Sequence, residues 1–205
     1  MQYIDDLGLY QTIFTDPRNG DFPAPETSHW KLAYDTLDTL RRNKTPGSIY
    51  DVLVRSDEAT YFSWVLAAVA PFGRLGQPPH TGKGRAPPPY GTLAAREGIR
   101  APNKLCDVCT GAISHREEIM SLKRAVIEGS PEVIRERDRF GMAIRHWDAK
   151  GGHWRLQVLS ALLVEAMEVL PSNDNSNGTL DNAGKFYFYV YSSYICMSWK
   201  LGLLS

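Results

Sequence analysis

Two cysteines three positions apart, Cys106 and Cys109, form the arrangement in this sequence that comes nearest to a metal site. A structural zinc site takes two such pairs, or one pair with two closely spaced histidines. No second Cys-x-x-Cys pair follows, and the third cysteine, Cys196, lies far along the chain. Because an offset of three also fits one face of a helix, the pair is interpreted as small core residues. So few cysteines indicate a reducing compartment.

The carboxylates are not spaced for two-metal chemistry. Nucleotidyl transfer by paired Mg²⁺ ions needs two carboxylates that can share the ions. The thirteen aspartates include no pair two residues apart, and no Gly-x-Ser-x-Gly, His-Glu-x-x-His or glycine-rich phosphate loop is present. The residues themselves therefore predict no catalytic and no metal site. Four histidines are interpreted as surface or hydrogen-bonded core residues: His29, His115, His146 and His153.

Positive charge is concentrated in the middle of the chain, although the total is balanced at 23 Lys+Arg and 23 Asp+Glu. Residues 83–155 hold fourteen Lys and Arg against nine Asp and Glu, a net charge of +5. Residues 1–82 carry −3 and residues 156–205 carry −2. Such a basic region suits a polyanion, and the alternative is an ordinary solvated helix surface.

Three helical patterns in residues 102–170 must position these charges. Apolar residues recur at spacings of three, four or seven, as on one face of a helix. Gly129 with Ser130-Pro131-Glu132 separates the first pattern from the second, and Gly151-Gly152 separates the second from the third. The apolar positions are Leu105, Val108, Ala112, Ile119, Leu122 and Val126; then Val133, Phe140, Ile144 and Trp147; then Trp154, Val158, Leu162 and Met167, widened by Leu159, Leu163 and Leu170.

Shorter helical patterns precede this unit. Residues 1–15 predict one short helix, and Thr27 or Ser28 is expected to cap a helix that runs to Arg42. Residues 56–70 predict a buried helix that ends at Pro71 and is too short to span a bilayer. A short segment near residues 50–55 and a short helix stopped by Gly98 complete the predicted all-α fold, with residues 56–70 and the three later helices as one core.

The chain changes character after residue 170. Residues 171–184 are polar and predict a disordered linker. Residues 185–205 hold four tyrosines, two phenylalanines and a tryptophan. Lys200 and the serines among them make them a poor membrane span, and no strand partner is evident. We interpret this tail as unrelated to the helical domain, exposed and prone to aggregate. In the competing case it covers apolar surface at Leu159, Leu163 or Leu170.

Four stretches resemble a known family. They are IDDLGLYQTIFTDP (4–17), YFSWVLAAVAPF (61–72), LAAREGIRAPNKLCDV (93–108) and ERDRFGMAIRHWDAKGGHWRLQVLSALLVEAM (136–167). They are similar to the C-terminal half of fungal-type CCA-adding enzymes, the tRNA nucleotidyltransferases of the poly(A) polymerase type. The resemblance follows the family's order over most of residues 1–170 and does not include residues 171–205.

The resemblance implies a fold and a role. The family joins a catalytic head and a nucleotide-selecting neck to helical body and tail domains that hold the tRNA acceptor arm. Neither the head's paired aspartates nor the neck's Glu-Asp-x-x-Arg template has a match here. The chain is therefore expected to run from the end of the neck into the body and to stop before the tail is complete. Mg²⁺ and CTP or ATP are expected only for the full-length relative, and this chain alone is expected to be inactive.

The implied partner is the tRNA acceptor arm, with no DNA and no membrane, in the cytoplasm and, as open alternatives, in mitochondria or the nucleus. An A-form stem is recognised by shape and by phosphate and 2′-OH contacts, which basic side chains on a helix can supply. Backbone N–H groups beside Gly151-Gly152 could also meet a phosphate. The predicted RNA-binding residues are Lys104, Arg135, Arg139, Arg145, His146 and Arg155.

Two alternatives to RNA binding stay open. The first is a helical protein-interaction module with no RNA role. The second is a tail-anchored membrane protein that uses residues 185–205.

Overall fold

The computed structural model describes residues 2–15, 22–80, 82, 84, 86–128, 137–149 and 153–169. Every regular element in these ranges is helical, which confirms the predicted all-α fold. The helices are α1 (Gln2–Asp6), α2 (Tyr10–Phe14), α3 (Trp30–Arg42), α4 (Ile49–Leu53), α5 (Asp57–Val69), α6 (Tyr90–Leu93), α7 (Asn103–Ser114), α8 (Arg116–Ile127), α9 (Arg137–Asp148) and α10 (Trp154–Val169). A 3₁₀ turn, Ala70–Arg74, follows α5, and a π-helical turn, Ala94–Gly98, follows α6.

Several sequence predictions fall outside the described residues. They concern the helix start at residues 130–133, the Gly151-Gly152 turn, Leu170, the linker at 171–184 and the tail at 185–205. None of the helices in the described ranges is long and apolar enough to cross a membrane.

Helix α10 lies at the centre of the fold. It contacts α3, α5, α7 and α8, as expected for a helix that is apolar on nearly every side and must be covered on every side. Leu159 and Leu163 are both 0% exposed. Of the residues that the competing prediction assigned to the tail, Leu159 and Leu163 are thus covered within the helical core. Trp154 and Val158, predicted on the buried face, are only partly buried.

The predicted core is confirmed. Helix α5 begins at Ser56, whose Oγ accepts a hydrogen bond from the Ala59 N–H at 3.0 Å, as an N-cap does. Cys106 and Cys109 are both buried in α7 as small core residues. Helix α3 adds its own buried face of Trp30, Ala33, Leu37 and Leu40, as the sequence predicted.

The end of α5 is completed by side chains from other helices. Pro71 has no N–H to donate to the carbonyl of Ala67, four residues earlier. The Trp30 indole donates to that carbonyl instead, at 3.0 Å. The Tyr10 hydroxyl donates to the next carbonyl, Ala68, at 2.7 Å. Two aromatic side chains therefore tie α2 and α3 to the point where α5 ends.

Three predicted helix limits are wrong. Residues 1–15 form two helices because Gly8 takes a left-handed conformation with φ 62, which leaves Tyr3 81% and Leu7 68% exposed. The first long pattern is also divided: His115, with φ −100 and ψ 2, separates α7 from α8. At α3 the N-cap position is His29, with no side-chain cap, and neither Thr27 nor Ser28 occupies it.

Ion pairs hold α10 against α8, and a close contact at Gly98 holds the π-helical turn against α2. The last turns of α10 carry Glu165 and Glu168, which pair with Lys123 and Arg116 of α8 at 2.5 and 2.6 Å. Gly98 ends the π-helical turn against α2, where a Cβ would lie 2.8 Å from the Ile13 carbonyl oxygen. The predicted stop at Gly98 therefore also has a packing cause.

Candidate nucleic-acid interface

Three segments meet at the end of the molecule where α10 begins. They are the turn before α5, the last turn of α9 and the first turn of α10. Arg55, Asp148, Trp154 and Arg155 are among the residues that line an open groove of about 240 Å³ between these segments. Two guanidinium groups and an indole thus face one depression in the surface.

Arg155 and Trp154 form one unit in this groove. The Arg155 guanidinium carbon lies 4.6 Å from the centroid of the Trp154 ring, a cation–π distance. Both side chains are partly buried, so the pair is held in place and still reachable from solvent. An aromatic face beside a fixed positive charge is what single-stranded nucleic acid uses for base stacking and phosphate contact.

The first N–H group of α10 is already bonded to an anionic side chain. The Trp154 N–H donates to Asp148 Oδ1 at 3.3 Å. The His153 carbonyl accepts from the N–H groups of Leu156 and Gln157. A phosphate at this end would therefore have to bind through side chains rather than through the Trp154 N–H.

The order of charges along α10 is the reverse of what stabilises a helix. Anions near the N-terminus and cations near the C-terminus interact favourably with the helix dipole. Helix α10 instead carries Arg155 in its first turn and Glu165 and Glu168 toward its end, with no acid in the first turn and no base in the last. Arg155, Arg55 and the positive end of the dipole add together, and Asp148 offsets part of this potential.

The structure places four of the six predicted RNA-binding residues. Arg145 and His146 are exposed in the last turn of α9, one turn or less before Asp148. Lys104 is exposed at the start of α7, and its ammonium lies 2.5 Å from the Glu58 carboxylate in the first turn of α5. Arg155 lies in the groove.

The structure does not describe the side chains of the other two predicted residues. Arg135 lies outside the described residues, and Arg139 is described only as part of helix α9.

Sequence reasoning missed two residues of the groove. Arg55 was overlooked because it follows the short helix α4, which has no pattern long enough to orient it. Trp154 was assigned to the core because its spacing from Val158 fits the apolar period. The adjacent basic residue, Arg155, was the available signal that this aromatic lies at a boundary.

A buried glutamine fixes α9 on α10. The Gln157 amide nitrogen donates to the Trp147 carbonyl at 2.8 Å. Its oxygen must therefore be the acceptor in the 2.8 Å bond with His115 Nδ1, which makes Nδ1 the protonated nitrogen. The Trp147 indole in turn donates to Glu118 at 2.8 Å. These hydrogen bonds connect α10 to His115, which lies between α7 and α8, and connect α9 to both α8 and α10. They therefore hold Arg145 and His146 of α9 in position.

The described residues contain no group of three or more His, Cys, Asp or Glu side chains that could hold a metal ion. Burial raises the pKa of the Cys109 thiol to about 12 and also raises that of Cys106. Neither cysteine is therefore a thiolate ligand or nucleophile at neutral pH.

Comparison with known proteins gives the wider relationship. Nucleotidyltransferase lcsQ from Purpureocillium lilacinum is 49% identical to this chain over 173 residues. The chain is a relative of a nucleotidyltransferase. The match covers 84% of the chain and 29% of lcsQ, so the chain spans less than a third of that relative's length. No family model and no solved structure matches the chain.

Proposed function

We propose that this chain is the RNA-holding part of a tRNA nucleotidyltransferase of the CCA-adding type and that it binds the acceptor arm without performing catalysis. The observation that carries the proposal is the cationic groove at the start of α10. There Arg55 and Arg155 face the same depression as Trp154, at the positive end of the central helix.

The charges at the start of α10 favour the binding of an anion and lower the stability of the free chain. Arg155 beside the positive end of α10 costs the folded state a fraction of a kcal/mol to about 1 kcal/mol. A bound polyanion reverses that cost because its phosphates interact favourably with the same dipole and with the arginines. Trp154 offers a stacking face for an unpaired 3′ nucleotide. A stem with a single-stranded end is therefore the ligand that uses both features.

A salt titration tests the proposal. The purified 205-residue chain is titrated with an RNA hairpin that ends in an unpaired CCA, at several salt concentrations. Phosphate contacts release counterions, so the logarithm of the binding constant should fall linearly with the logarithm of salt concentration. Arg145→Ala and Arg155→Ala should each weaken binding and reduce the magnitude of the slope by about 1.

Arg124→Ala is the matched control. Arg124 is an exposed arginine on α8, the helix that pairs with the opposite, acidic end of α10. The control variant removes the same charge and should leave the slope unchanged. Binding that is absent, insensitive to salt, or weakened equally by all three variants would reject the proposal. Salt-insensitive capture of a protein partner would instead favour the interaction-module alternative.

A further inference from the structure

A second groove lies between α8 and α9, and His146, one of the predicted RNA-binding residues, is among the residues that line it. It has a volume of about 520 Å³, within the range of pockets that hold drug-sized ligands. Its walls are largely apolar. They include Leu122, Ala125, Met142, Ala143 and Trp147.

Met142 shows that this groove is open to a partner. Its side chain is 65% exposed, unlike the large apolar residues of the neighbouring core. A flexible, polarizable methionine adapts to varied apolar surfaces and is common at such contact sites. Among the residues that line the groove, Glu118 carries a negative charge and accepts a hydrogen bond from the Trp147 indole.

Residues 185–205 have the complementary chemistry. They contain seven aromatic residues, two lysines (Lys185 and Lys200) and no aspartate or glutamate. Aromatic side chains are the groups that fill an apolar groove most favourably. The two lysines give the segment the sign of charge that the Glu118 carboxylate attracts.

The groove is also within reach of this segment. Helix α10 ends at Val169, and its last turns pair with α8 through Arg116 and Lys123. The described chain therefore ends beside the helix that forms one wall of the groove. A chain of fifteen residues, the length of 170–184, would span about 20 Å if it were a random coil, and α8 is about 18 Å long. Tethering at this distance gives an effective concentration in the millimolar range, which favours even a weak contact.

We propose that the aromatic segment 185–205 of this same chain docks in the α8–α9 groove, over Met142. Its lack of resemblance to the CCA-adding family does not oppose this, since the tether and the apolar match suffice for an intramolecular contact. The proposal does not depend on RNA binding.

The test is photo-cross-linking of the full chain. A photoreactive phenylalanine analogue is placed at position 142, and in a control protein at Tyr61, which is 54% exposed on α5. Position 142 should give cross-links to residues 185–205 within one chain, with a yield independent of protein concentration. Position 61 should not. Replacing Phe186, Phe188 and Trp199 with serine in the full chain should abolish the cross-link and leave the helical circular dichroism unchanged.

A second measurement avoids the substitution at 142. Oxidation of Met142 by peroxide, followed by mass spectrometry, should be several-fold slower in the unaltered chain than in the triple-serine variant. Lys200→Glu should give an intermediate rate. Cross-links between two chains would assign the groove to a second copy and overturn the proposal. Equal cross-linking at 142 and 61, no cross-link to the tail, or equal oxidation rates would overturn it as well.

Discussion

A single side chain, Gln157, decides how α9 sits on the core. Gln157 is 1% exposed and satisfies both the Trp147 carbonyl and the His115 ring. Gly111 makes room for it, because a Cβ there would lie 2.6 Å from the Gln157 amide nitrogen. The side chain therefore has little freedom to find other partners.

Gln157→Leu keeps the approximate size of the side chain and leaves two buried polar groups without their partner. We expect the free energy of unfolding to fall by about 1–3 kcal/mol. Urea denaturation measures this as a lower midpoint with an unchanged slope. Gln11→Leu, an exposed glutamine on α2, is the control and should stay within about 0.5 kcal/mol. Equal stability of the two variants would mean that the network contributes nothing.

The helices themselves were predictable from the sequence where their apolar period and their punctuation agreed. Ser56 and Pro71 fixed α5 correctly, and the spacing of Trp30, Ala33, Leu37 and Leu40 identified the buried face of α3. The breaks at Gly8 and His115 were missed because the apolar period continues through them. At His115 the break coincides with the hydrogen bond between His115 and Gln157, a tertiary contact that no local pattern encodes.

The candidate site was less predictable for a related reason. Helical spacing correctly predicted that His146 is exposed on α9. Spacing within one helix says nothing about which loops meet it in space. The contribution of Arg55 and the carboxylate of Asp148 at the start of α10 therefore emerged only from the packing of α4, α5 and α9.

Substitutions at Gly98 and Gly141 test how closely neighbouring helices pack. At Gly98 the Cβ of an alanine would meet the backbone of α2 at 2.8 Å from Ile13 and 3.0 Å from Phe14. Gly98→Ala must therefore displace α2, and we expect a loss of about 1–3 kcal/mol. Gly141 in α9 has no such neighbour within 4 Å, so Gly141→Ala should gain about 0.5–1 kcal/mol through helix propensity. Thermal denaturation compares the two, and shifts of the same sign would contradict the packing argument.

The ion pair between Lys123 of α8 and Glu165 of α10 allows the energetic cost of burying charge to be measured. The side chains of Lys123 and Glu165 are only 10% and 17% exposed. Lys123→Met should cost about 3–5 kcal/mol because it leaves the glutamate without its cation, whereas changing both residues to methionine should restore most of the stability. Arg42→Ala, which breaks the exposed pair with Asp38, should cost no more than about 1 kcal/mol. A double variant no more stable than the single one would show that the charges are needed for folding.

We propose that the chain as a whole does not transfer nucleotides. No Asp-x-Asp pair occurs in the sequence, and the chain spans 29% of lcsQ. We expect no incorporation of labelled CTP or ATP into tRNA lacking its 3′ end when the 205-residue chain is supplied with Mg²⁺. A CCA-adding enzyme that includes its catalytic head is the positive control for this assay. Incorporation by the shorter chain would contradict the assignment of a non-catalytic role.

The hydrogen bond from Trp30 to the Ala67 carbonyl constrains the history of this fold. With Trp30 in place, a proline at position 71 is tolerated because the indole supplies the donor that proline lacks. Without Trp30, the same proline buries a carbonyl that lacks this donor, at a cost of about 1–3 kcal/mol. Loss of Trp30 should therefore cost more when position 71 is a proline than when it is a residue with a backbone N–H. Once Pro71 is present, Trp30 can no longer be lost freely, and the two positions are epistatic.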